Sequence, residues 1–337
     1  MFAVTYKKIW LIITAVLFLG SLALVLAFGL KPGIDFAGGS LTEVAYGTNS
    51  EDSSEKRESP AKEEVEAAVA TLGLGNFSVR ESNDETGRSG YLVRTRALTE
   101  EERIALAAAV TTVEPGGEVT RFTSIGPIIG QELRDKAVWA IGAVALIIVL
   151  YVAFAFAGIG TPVSSWVYGG ITIFALFHDV LIPTAEVSVL GYLVGMEVGV
   201  LFVMAILAGF GFSVNGTVVV FDRVRENLKQ FRTERKVKRN EAGIVKEDIV
   251  YTLTKPFSEI VGLSVSQTLA RSINTSFTTL LTLIALYFIG GSVTQTFVLV
   301  LMVGVIAGTY SSICIASPIL VAYEEWQAKK ASATNNS

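Results

Sequence analysis

Long apolar segments, separated by polar ones, recur along most of the chain. A bilayer core of about 30 Å is crossed by roughly 20 residues of helix. Six segments approach or exceed that length, and they lie at residues 9–30, 137–157, 163–184, 194–221, 273–289 and 294–322. The pattern therefore predicts six transmembrane helices, and an even number of crossings predicts that both chain ends lie on the same side of the membrane.

The first apolar segment follows Lys7 and Lys8 and is longer than the roughly 7–15 apolar residues of a cleaved signal peptide. We therefore expect it to remain as a membrane anchor. The polar region after it is long enough for one small domain. The expected sections are the N-terminus with helix 1 (1–30), an external domain (31–136), helices 2–4 (137–221), a basic loop (222–271), helices 5–6 (272–322) and a tail (323–337).

The polar region has a secondary-structure pattern of its own. Its expected strands lie at residues 40–46, 76–80, 91–95 and 118–122, and its expected helices at residues 61–72 and 99–110. Thr99 is the expected N-cap of the second helix, with Glu102 completing a capping box. The charged stretch at residues 51–60 is expected to be a mobile loop.

The element order βαββαβ is typical of a ferredoxin-like, split-βαβ arrangement. The predicted fold class is therefore a polytopic α-helical membrane protein with six transmembrane helices. One α+β ferredoxin-like extracytoplasmic domain is expected between helices 1 and 2.

The composition of the 337-residue chain agrees with a membrane protein. Apolar residues make up 51% and charged residues 17%, and the mean hydropathy is +0.54; an ordinary soluble domain carries about 25% charged residues. These values exclude a disordered chain and a basic nucleic-acid-binding protein. Cys314 is the only cysteine, which excludes an intrachain disulfide and a cysteine-based metal site. We expect no cofactor, no metal site and no catalytic constellation, and hence not an enzyme.

The distribution of Lys and Arg predicts the orientation. By the positive-inside rule, the basic segment at residues 222–271 faces the cytoplasm, and both chain ends follow by parity. Its positive residues include Arg223, Arg225, Lys229, Arg232, Arg235, Lys236, Lys238, Arg239, Lys246 and Lys255. Contact with a cytoplasmic partner is a further role for this segment. Residues 231–255 are expected to form a solvated hairpin, with an amphipathic helix on anionic membrane lipids as the alternative.

Few ionisable residues fall inside the predicted helices, where they are expensive and usually functional. His178 and Asp179 lie near the middle of the third helix, and His178 is the only histidine. Because imidazole titrates close to neutral pH, both residues are candidates for a proton pathway. The alternative is a structural hydrogen bond between helices. Arg271, at the expected start of the fifth helix, fits a positive anchor at the membrane interface.

Small residues and prolines are expected to shape the helix packing. Small-xxx-small pairs such as Gly304 and Gly308 predict close helix contacts. Pro183 is expected at the end of the third helix, where a missing backbone donor does least harm. Pro318 is expected to kink the sixth helix.

Several motifs occur in order along the chain. They are residues 33–39 (GIDFAGG), 124–127 (SIGP), 178–180 (HDV), 211–217 (GFSVNGT), 221–227 (FDRVREN), 266–276 (SQTLARSINTS) and 308–312 (GTYSS). Together they resemble the SecF family of bacterial protein-export membrane subunits, which is related to the RND transporters. The resemblance covers almost the whole chain. Its motif residues include Gly33, Asp35, Gly38, Gly39, Asp222 and Arg223.

The resemblance implies a partner, SecD, with a matching six-span bundle. It also implies work alongside the SecYEG channel and the SecA motor, often with YajC. Such a complex uses the proton gradient to help draw translocating preproteins across the bacterial cytoplasmic membrane. Arg271 matches a family cation that pairs with an intramembrane carboxylate.

The fourth-helix motif departs from the family pattern. The family motif ends Asn-Asp-Thr, and its Asp is credited with proton transport, whereas this chain has Asn215, Gly216 and Thr217. Glycine cannot carry a proton, and three interpretations are open. Gly216 is an introduced substitution that arrests the pump, or a lineage variant in which Asp179 or the partner's carboxylate takes over, or the mark of a subunit that moves no protons.

Asp222 does not replace the missing carboxylate by position. It follows the fourth helix at the predicted cytoplasmic end, where a local salt bridge with Arg223 or Arg225 is the expected role. Two further functions stay open. One is an RND-like exporter of small molecules or lipids, a class that favours large external domains at two places in one chain. The other is a structural scaffold that holds the partner near the channel.

Overall fold

A computed structural model of the protein describes residues 2–47, 59–83, 88–156, 162–241 and 244–335. The helices are α1 (Phe2–Thr5), α2 (Lys7–Phe28), α3 (Ile34–Ala37), α4 (Lys62–Ala70), α5 (Glu100–Thr111), α6 (Pro127–Ala155), α7 (Ser165–Leu193), α8 (Val200–Gln230), α9 (Phe257–Ile289), α10 (Ser292–Ser311) and α11 (Ser317–Asn335). A π-helical turn, Ser312–Ala316, joins the last two. The strands are β1 (Gly39–Ala45), β2 (Ser78–Asn83), β3 (Ser89–Thr95), β4 (Glu118–Ile125), β5 (Arg232–Glu241) and β6 (Ile244–Leu253).

Six helices in the described residues are long and apolar enough to cross a membrane, as predicted: α2, α6, α7, α8, α9 and the continuous α10–α11 segment. The α7, α8 and α10–α11 helices form the centre of the bundle and are about half buried, whereas α2, α6 and α9 surround them. The outer helices expose large apolar side chains such as Ile12, Trp139 and Phe288. Such a surface suits contact with lipid or with another apolar helix.

The fifth helix begins well before its predicted start at residue 273, so that prediction was wrong. Helix α9 starts at Phe257, and Arg271 lies inside it rather than at its beginning. Its first turns bury Phe257, Ile260 and Val261 on one face. Polar residues after Val261 lower the local hydropathy, which is why the apolar run underestimates the helix; they are Ser264, Ser266, Gln267, Thr268 and Arg271.

Two other boundaries differ from the prediction. Helix α8 continues to Gln230, past the expected end at residue 221. Helix α7 continues to Leu193, so that Pro183 lies within the helix and not at its end. Because proline has no N–H, Pro183 leaves the carbonyl of Asp179, four residues earlier, without its usual helical donor.

The basic segment after α8 contains a β-hairpin. Strands β5 and β6 pair in antiparallel register from Arg232 opposite Leu253 to Glu241 opposite Ile244. The predicted hairpin is therefore confirmed, and the alternative of an amphipathic interfacial helix is wrong.

The small domain between α2 and α6 is a four-stranded antiparallel sheet with the strand order β2-β3-β1-β4. Helices α4 and α5 pack on one face through a core that includes Val44, Val65 and Leu106. Residues 51–58 of the predicted mobile loop lie outside the described residues.

The predicted capping box at the start of α5 is confirmed. The Glu102 amide donates to Thr99 Oγ1 at 3.3 Å, and the Thr99 amide donates to Glu102 Oε2 at 2.9 Å. Hydrogen bonding from Arg96, helped by the Thr99 amide, lowers the pKa of Glu102 to about 2. Local sequence spacing is enough to specify this helix start.

The last transmembrane segment is continuous through its π-helical turn. Pro318 is the second residue of α11, directly after that turn. A π-helical turn carries an extra residue and frequently marks a functional site. The irregularity expected at Pro318 therefore lies just before it, at Ser312–Ala316.

Candidate functional site

A buried carboxylate, Asp179, lies at the centre of the helix bundle. Its side chain is joined to three helices, because it belongs to α7 and accepts hydrogen bonds from α8 and α10. Ser213 and Ser311 each donate to its Oδ2 at 2.5 Å. Asp179 is 5% exposed, and both serines are buried.

His178 belongs to the same cluster, because it contacts the other carboxylate oxygen of Asp179. Its Nδ1 lies 3.0 Å from Asp179 Oδ1, and the side chain is fully buried. With Nδ1–H donating to the carboxylate, Nε2 is left as an acceptor. Nε2 is buried without a hydrogen-bond partner in the part of the chain that the structure describes. The imidazole and the carboxylate therefore form one buried polar pair at the centre of the bundle.

Aromatic and hydroxyl groups extend the cluster towards α2. The rings of His178 and Tyr310 have centroids 5.9 Å apart. The Tyr310 hydroxyl lies 3.0 Å from Thr14 Oγ1 on α2. These contacts connect the His178 environment with the first transmembrane helix.

Gly216 and Arg271 line a separate cleft, with a volume of about 180 Å³. Asn215, Ser276 and Ser312 also line it, together with other residues of α8, α9 and α10. The Arg271 side chain is exposed and makes no ion pair with any described residue. The structure thus brings Arg271 to the same cleft as Gly216, although Arg271 is not among the described residues that contact Asp179.

The Gly216 position is tight but not closed to a side chain. A Cβ atom built there would lie 3.3 Å from Ser312 Oγ, a contact that a small shift of the hydroxyl relieves. Thr217 does not line the cleft; it is buried, and its hydroxyl donates to the Ser213 carbonyl at 3.2 Å. The predicted site residues therefore divide between a buried cluster around Asp179 and an open cleft at Gly216.

The motif at residues 33–39 joins the small domain to the bundle. Asp35 Oδ2 accepts a hydrogen bond from the Val200 amide at 2.8 Å, at the start of α8. The N-cap residue of α8 is Gly199, which has no side chain of its own to fill this role. The Gly33 amide donates to the Val198 carbonyl at 2.8 Å. This motif therefore ties β1 and its surroundings to α8.

The paired glycines of this motif allow close backbone approach. Gly38 and Gly39 have φ of 75° and 134°. A Cβ at Gly38 would lie 2.9 Å from the Pro127 Cα, and one at Gly39 would lie 2.7 Å from the Thr95 carbonyl oxygen. A side chain at Gly38 would push this segment away from α6, and one at Gly39 would push β1 away from β3.

Asp222 and Arg223 lie in the cytoplasm-facing half of the predicted topology, near the end of α8. Asp222 and Arg225 are 4.0 Å apart, as expected for a local salt bridge, whereas Arg223 pairs with Glu226 at 2.7 Å. Exposed pairs of this kind contribute little to stability.

Asn227, from the same motif, joins α8 to α9. Its side-chain amide donates to Ser264 Oγ at 2.8 Å and to Gln267 Oε1 at 2.9 Å. The bond to Gln267 connects the motif at residues 221–227 with the motif at residues 266–276.

The residue pattern alone did not single out Ser213 and Ser311 as ligands of Asp179. Both lie in recognised motifs, and a hydroxyl inside a transmembrane helix is a usable signal because it seeks a partner there. Glu186 was also missed, because it lies just beyond the predicted third span at residues 163–184, whereas α7 continues to Leu193. Within the described residues, no group of three or more His, Cys, Asp or Glu side chains is placed to hold a metal ion.

Comparison with known proteins gives matches along nearly the whole chain. The family model of the SecD/SecF protein export membrane protein C-terminal region matches residues 105–326. The SecD/SecF GG motif model matches residues 23–49.

Several curated relatives are similar over most of the chain. Protein translocase subunit SecF from Thermobaculum terrenum is 36% identical, over 89% of this chain and 86% of the relative. The subunit of the same name from Anaerolinea thermophila is 35% identical, over 95% and 94%. Protein translocase subunit SecDF from Thermus thermophilus is 34% identical over 92% of this chain, which matches 37% of that longer protein.

Solved structures of SecDF share the fold. The crystal structure of SecDF from Thermus thermophilus superposes with a TM-score of 0.73 at 30% identity, over 96% of this chain. SecDF in a super-membrane-facing form superposes with a TM-score of 0.61, over 99% of this chain. The chain spans 38% and 40% of the length of those two SecDF chains. From the family models and the SecF relatives together, the chain belongs to the SecF family of protein translocase subunits.

Proposed function

We propose that this chain is a non-enzymatic accessory subunit of the Sec machinery that uses the proton gradient to promote preprotein export. Membership of the SecF family supports the Sec role. The observation that supports proton coupling is the buried Asp179, held by Ser213, Ser311 and His178 at the centre of the bundle. Ionisable groups at this depth are expensive and usually functional.

Proton binding at Asp179 changes the hydrogen bonds between this side chain and the surrounding helices. The anion accepts from hydroxyls on α8 and α10, whereas the protonated acid is neutral and itself becomes a donor. Each charge that crosses the membrane potential supplies about 2.3 kcal/mol per 100 mV. That energy is sufficient to bias two arrangements of packed helices.

Helix α8 provides a route from this site to the external domain. Ser213 on α8 contacts Asp179, and Val200 at the start of the same helix is held by Asp35 next to β1. We propose that movement of α8 relative to α7 is transmitted to the domain through Asp35. His178 acts in this scheme as a proton shuttle beside Asp179.

The cleft at Gly216 takes a different role in the proposal. Asp179, or a carboxylate of the partner subunit that reaches Arg271, takes over the task of the family's fourth-helix Asp. Arg271 is available for such a pairing because its side chain lines the cleft and is exposed. Asn215 and Thr217 flank the site rather than carry the proton.

The proposed architecture follows the element order of the chain. The order βαββαβ and the antiparallel sequence β2-β3-β1-β4 support a ferredoxin-like extracytoplasmic domain within residues 31–136. The basic residues of the 222–271 segment support a cytoplasmic location for the hairpin and both chain ends. Helices 2–4 then lie within residues 137–221 and helices 5–6 within residues 272–322, both in the bacterial inner membrane. Residues 323–337 form the tail.

The proposed partners are SecD, the SecYEG channel, SecA and YajC. Pairing with SecD is supported by relatives and solved structures named SecDF, of which this chain matches 37–40% of the length. The alternative is a structural scaffold of the same complex that moves no protons, and Gly216 is the observation that favours it.

Export into inverted membrane vesicles, with and without an uncoupler, tests the proposal. The chain is co-expressed with its SecD partner, and the Asp179→Asn variant is compared with the unsubstituted chain. We expect Asp179→Asn to abolish the gradient-dependent part of export while membrane insertion is retained. The exposed Asp135→Asn variant, with a weak 4.0 Å pairing to Arg134, serves as a matched control. Full gradient-dependent export by Asp179→Asn would reject proton coupling at Asp179 and leave the scaffold.

A further inference from the structure

We propose that Glu186 is a second proton-binding carboxylate of the bundle, which passes protons between the cleft under the external domain and Asp179. This inference rests on the proton-coupled function proposed above. It adds an entry point on the domain side, for which neither the motifs nor the family comparison supplies a residue.

Glu186 is a half-buried carboxylate within a membrane-spanning helix. Its Oε2 is shielded from solvent and has no hydrogen-bond partner among the residues that the structure describes. A buried carboxylate oxygen without a partner is strongly unfavourable, and a proton or a water molecule relieves it. The position therefore needs an explanation beyond packing.

Glu186 shares a face of α7 with Asp179. The positions 179, 183 and 186 follow the i, i+4, i+7 spacing of one helical face. Seven residues of helix separate the two carboxylates by about 10 Å along the axis. Transfer over that distance requires water between them, and Pro183 lies between the two side chains.

A small void occupies the space beside Pro183. It has a volume of about 10 Å³ and is lined by Asp179, Pro183, Ile206, Val300 and neighbouring residues. One water molecule needs about this much room, together with polar partners. The Asp179 carboxylate supplies one partner, and the Asp179 carbonyl, which Pro183 deprives of its helical donor, supplies a second.

A larger cleft opens on the domain side of this void. It has a volume of about 520 Å³ and lies between the sheet of the external domain and the ends of α8 and α10. Phe202 and Phe297 line the cleft, and Ile206 and Val300 line the void. On both helices the two lining positions are about one turn apart.

Glu186 lies at the level of the void. Helix α7 runs towards the domain side, so one turn beyond Pro183, which lines the void, brings the chain to Glu186. Helix α8 runs the opposite way, and seven residues before Ser213, which bonds Asp179, is Ile206, which also lines the void. Glu186 itself is not among the residues that line the void or the cleft, so the proposed route needs water to join its carboxylate to both spaces.

The charged groups nearest this level of the bundle lie on the domain side. They are Asp35, Glu43, Arg80, Arg94, Arg121 and Glu197, which line the cleft, and Glu132, Arg134, Asp135 and Lys136 at the start of α6. Residues 9–28, 200–221 and 292–311 of the helices packed against α7 contain no charged residue. The charges of α11 lie at the other end of the bundle. Apart from its helix-mate Asp179, Glu186 therefore has no charged neighbour inside the membrane part of these helices.

The proposed transfer consists of two proton steps. Water in the cleft gives a proton to the Glu186 carboxylate, which becomes a neutral carboxylic acid. The acid then passes its proton through water in the void to the Asp179 carboxylate and returns to the anion. No covalent bond other than O–H forms or breaks, and no redox partner is involved.

A carbodiimide that modifies protonated membrane carboxyls tests this site independently of export. In the full chain paired with SecD, mass spectrometry should find the label on Glu186, in both the unsubstituted protein and the Asp179→Asn variant. Glu186→Gln should lose that label. Glu186→Gln should also lower gradient-dependent export by about tenfold or more, since a proton-transfer group is removed.

Two further variants separate the possible outcomes. Glu186→Asp, which keeps a carboxyl group, should retain label and export. Glu259→Gln, at the opposite end of the bundle and outside the family motifs, should match the unsubstituted chain. If Asp179→Asn abolishes export while Glu186→Gln exports normally and Glu186 takes no label, the role of Glu186 is rejected and proton coupling stands. If Asp179→Asn exports normally, the proton-coupled function fails and the Glu186 pathway fails with it. The label on the unsubstituted chain decides the question even if Glu186→Gln does not insert.

Discussion

Ser213 of α8 and Ser311 of α10 donate hydrogen bonds to the same oxygen, Oδ2 of Asp179, from two different helices. The carboxylate thereby links three helices of the bundle centre. Hydrogen bonds to a charged group are worth about 1.5–3 kcal/mol each, more than bonds between neutral groups. The stability that is lost when either serine is removed should therefore depend on whether Asp179 is charged.

Ser213→Ala and Ser311→Ala should each destabilise the complex by about 1.5–3 kcal/mol, because each removes a donor to the buried carboxylate. Thermal unfolding in detergent at neutral pH measures this effect. In an Asp179→Asn background the same serine substitutions should lose most of their effect, as a double-mutant cycle would show. Equal effects in both backgrounds would mean that the serines act through packing alone.

Gly216→Asp should raise gradient-dependent export if the fourth-helix site has been emptied, because it returns a carboxylate to the cleft that Arg271 lines. Inverted vesicles with and without an uncoupler supply the measurement. Gly216→Asn is the matched control, since it has nearly the same size and meets the same contact with Ser312. No difference between the two variants would favour a lineage that does not pump through this helix.

Asp35→Ala should destabilise the start of α8 by about 1 kcal/mol, the usual effect of losing a helix cap. Asp35→Asn should have little effect, because the asparagine carbonyl also accepts from the Val200 amide. Hydrogen exchange of the first amides of α8 is the appropriate measurement. A loss of protection in Asp35→Asn equal to that in Asp35→Ala would show that charge, rather than capping, is what Asp35 contributes.

Local features of this protein could be predicted from the sequence. The six apolar runs predict six membrane-spanning helices because a bilayer demands a minimum helix length. Thr99 and Glu102 predict the start of α5 because a capping box involves residues only three apart. The salt bridge between Asp222 and Arg225 is local in the same sense.

Non-local features could not be predicted in this way. Hydropathy missed the first turns of α9, where Ser264 and Thr268 are buried by contact with other helices rather than by lipid. The contact of Asp35 with Val200 joins residues far apart in the chain, and no spacing rule connects them. The meeting of Ser213, Ser311 and Asp179 likewise depends on how three helices pack.

The cap of α8 has a mechanical consequence. Gly199 leaves the helix start without a side chain of its own, and a Cβ there would lie 2.4 Å from the Asp35 carboxylate oxygen that replaces it. The Val200 amide therefore keeps this hydrogen-bond partner only while the small domain is seated. A force that lifts the domain would break the contact between Asp35 and Val200 and loosen the start of α8. Because Ser213 in the middle of the same helix bonds Asp179, a load on the small domain would be transmitted to the centre of the bundle.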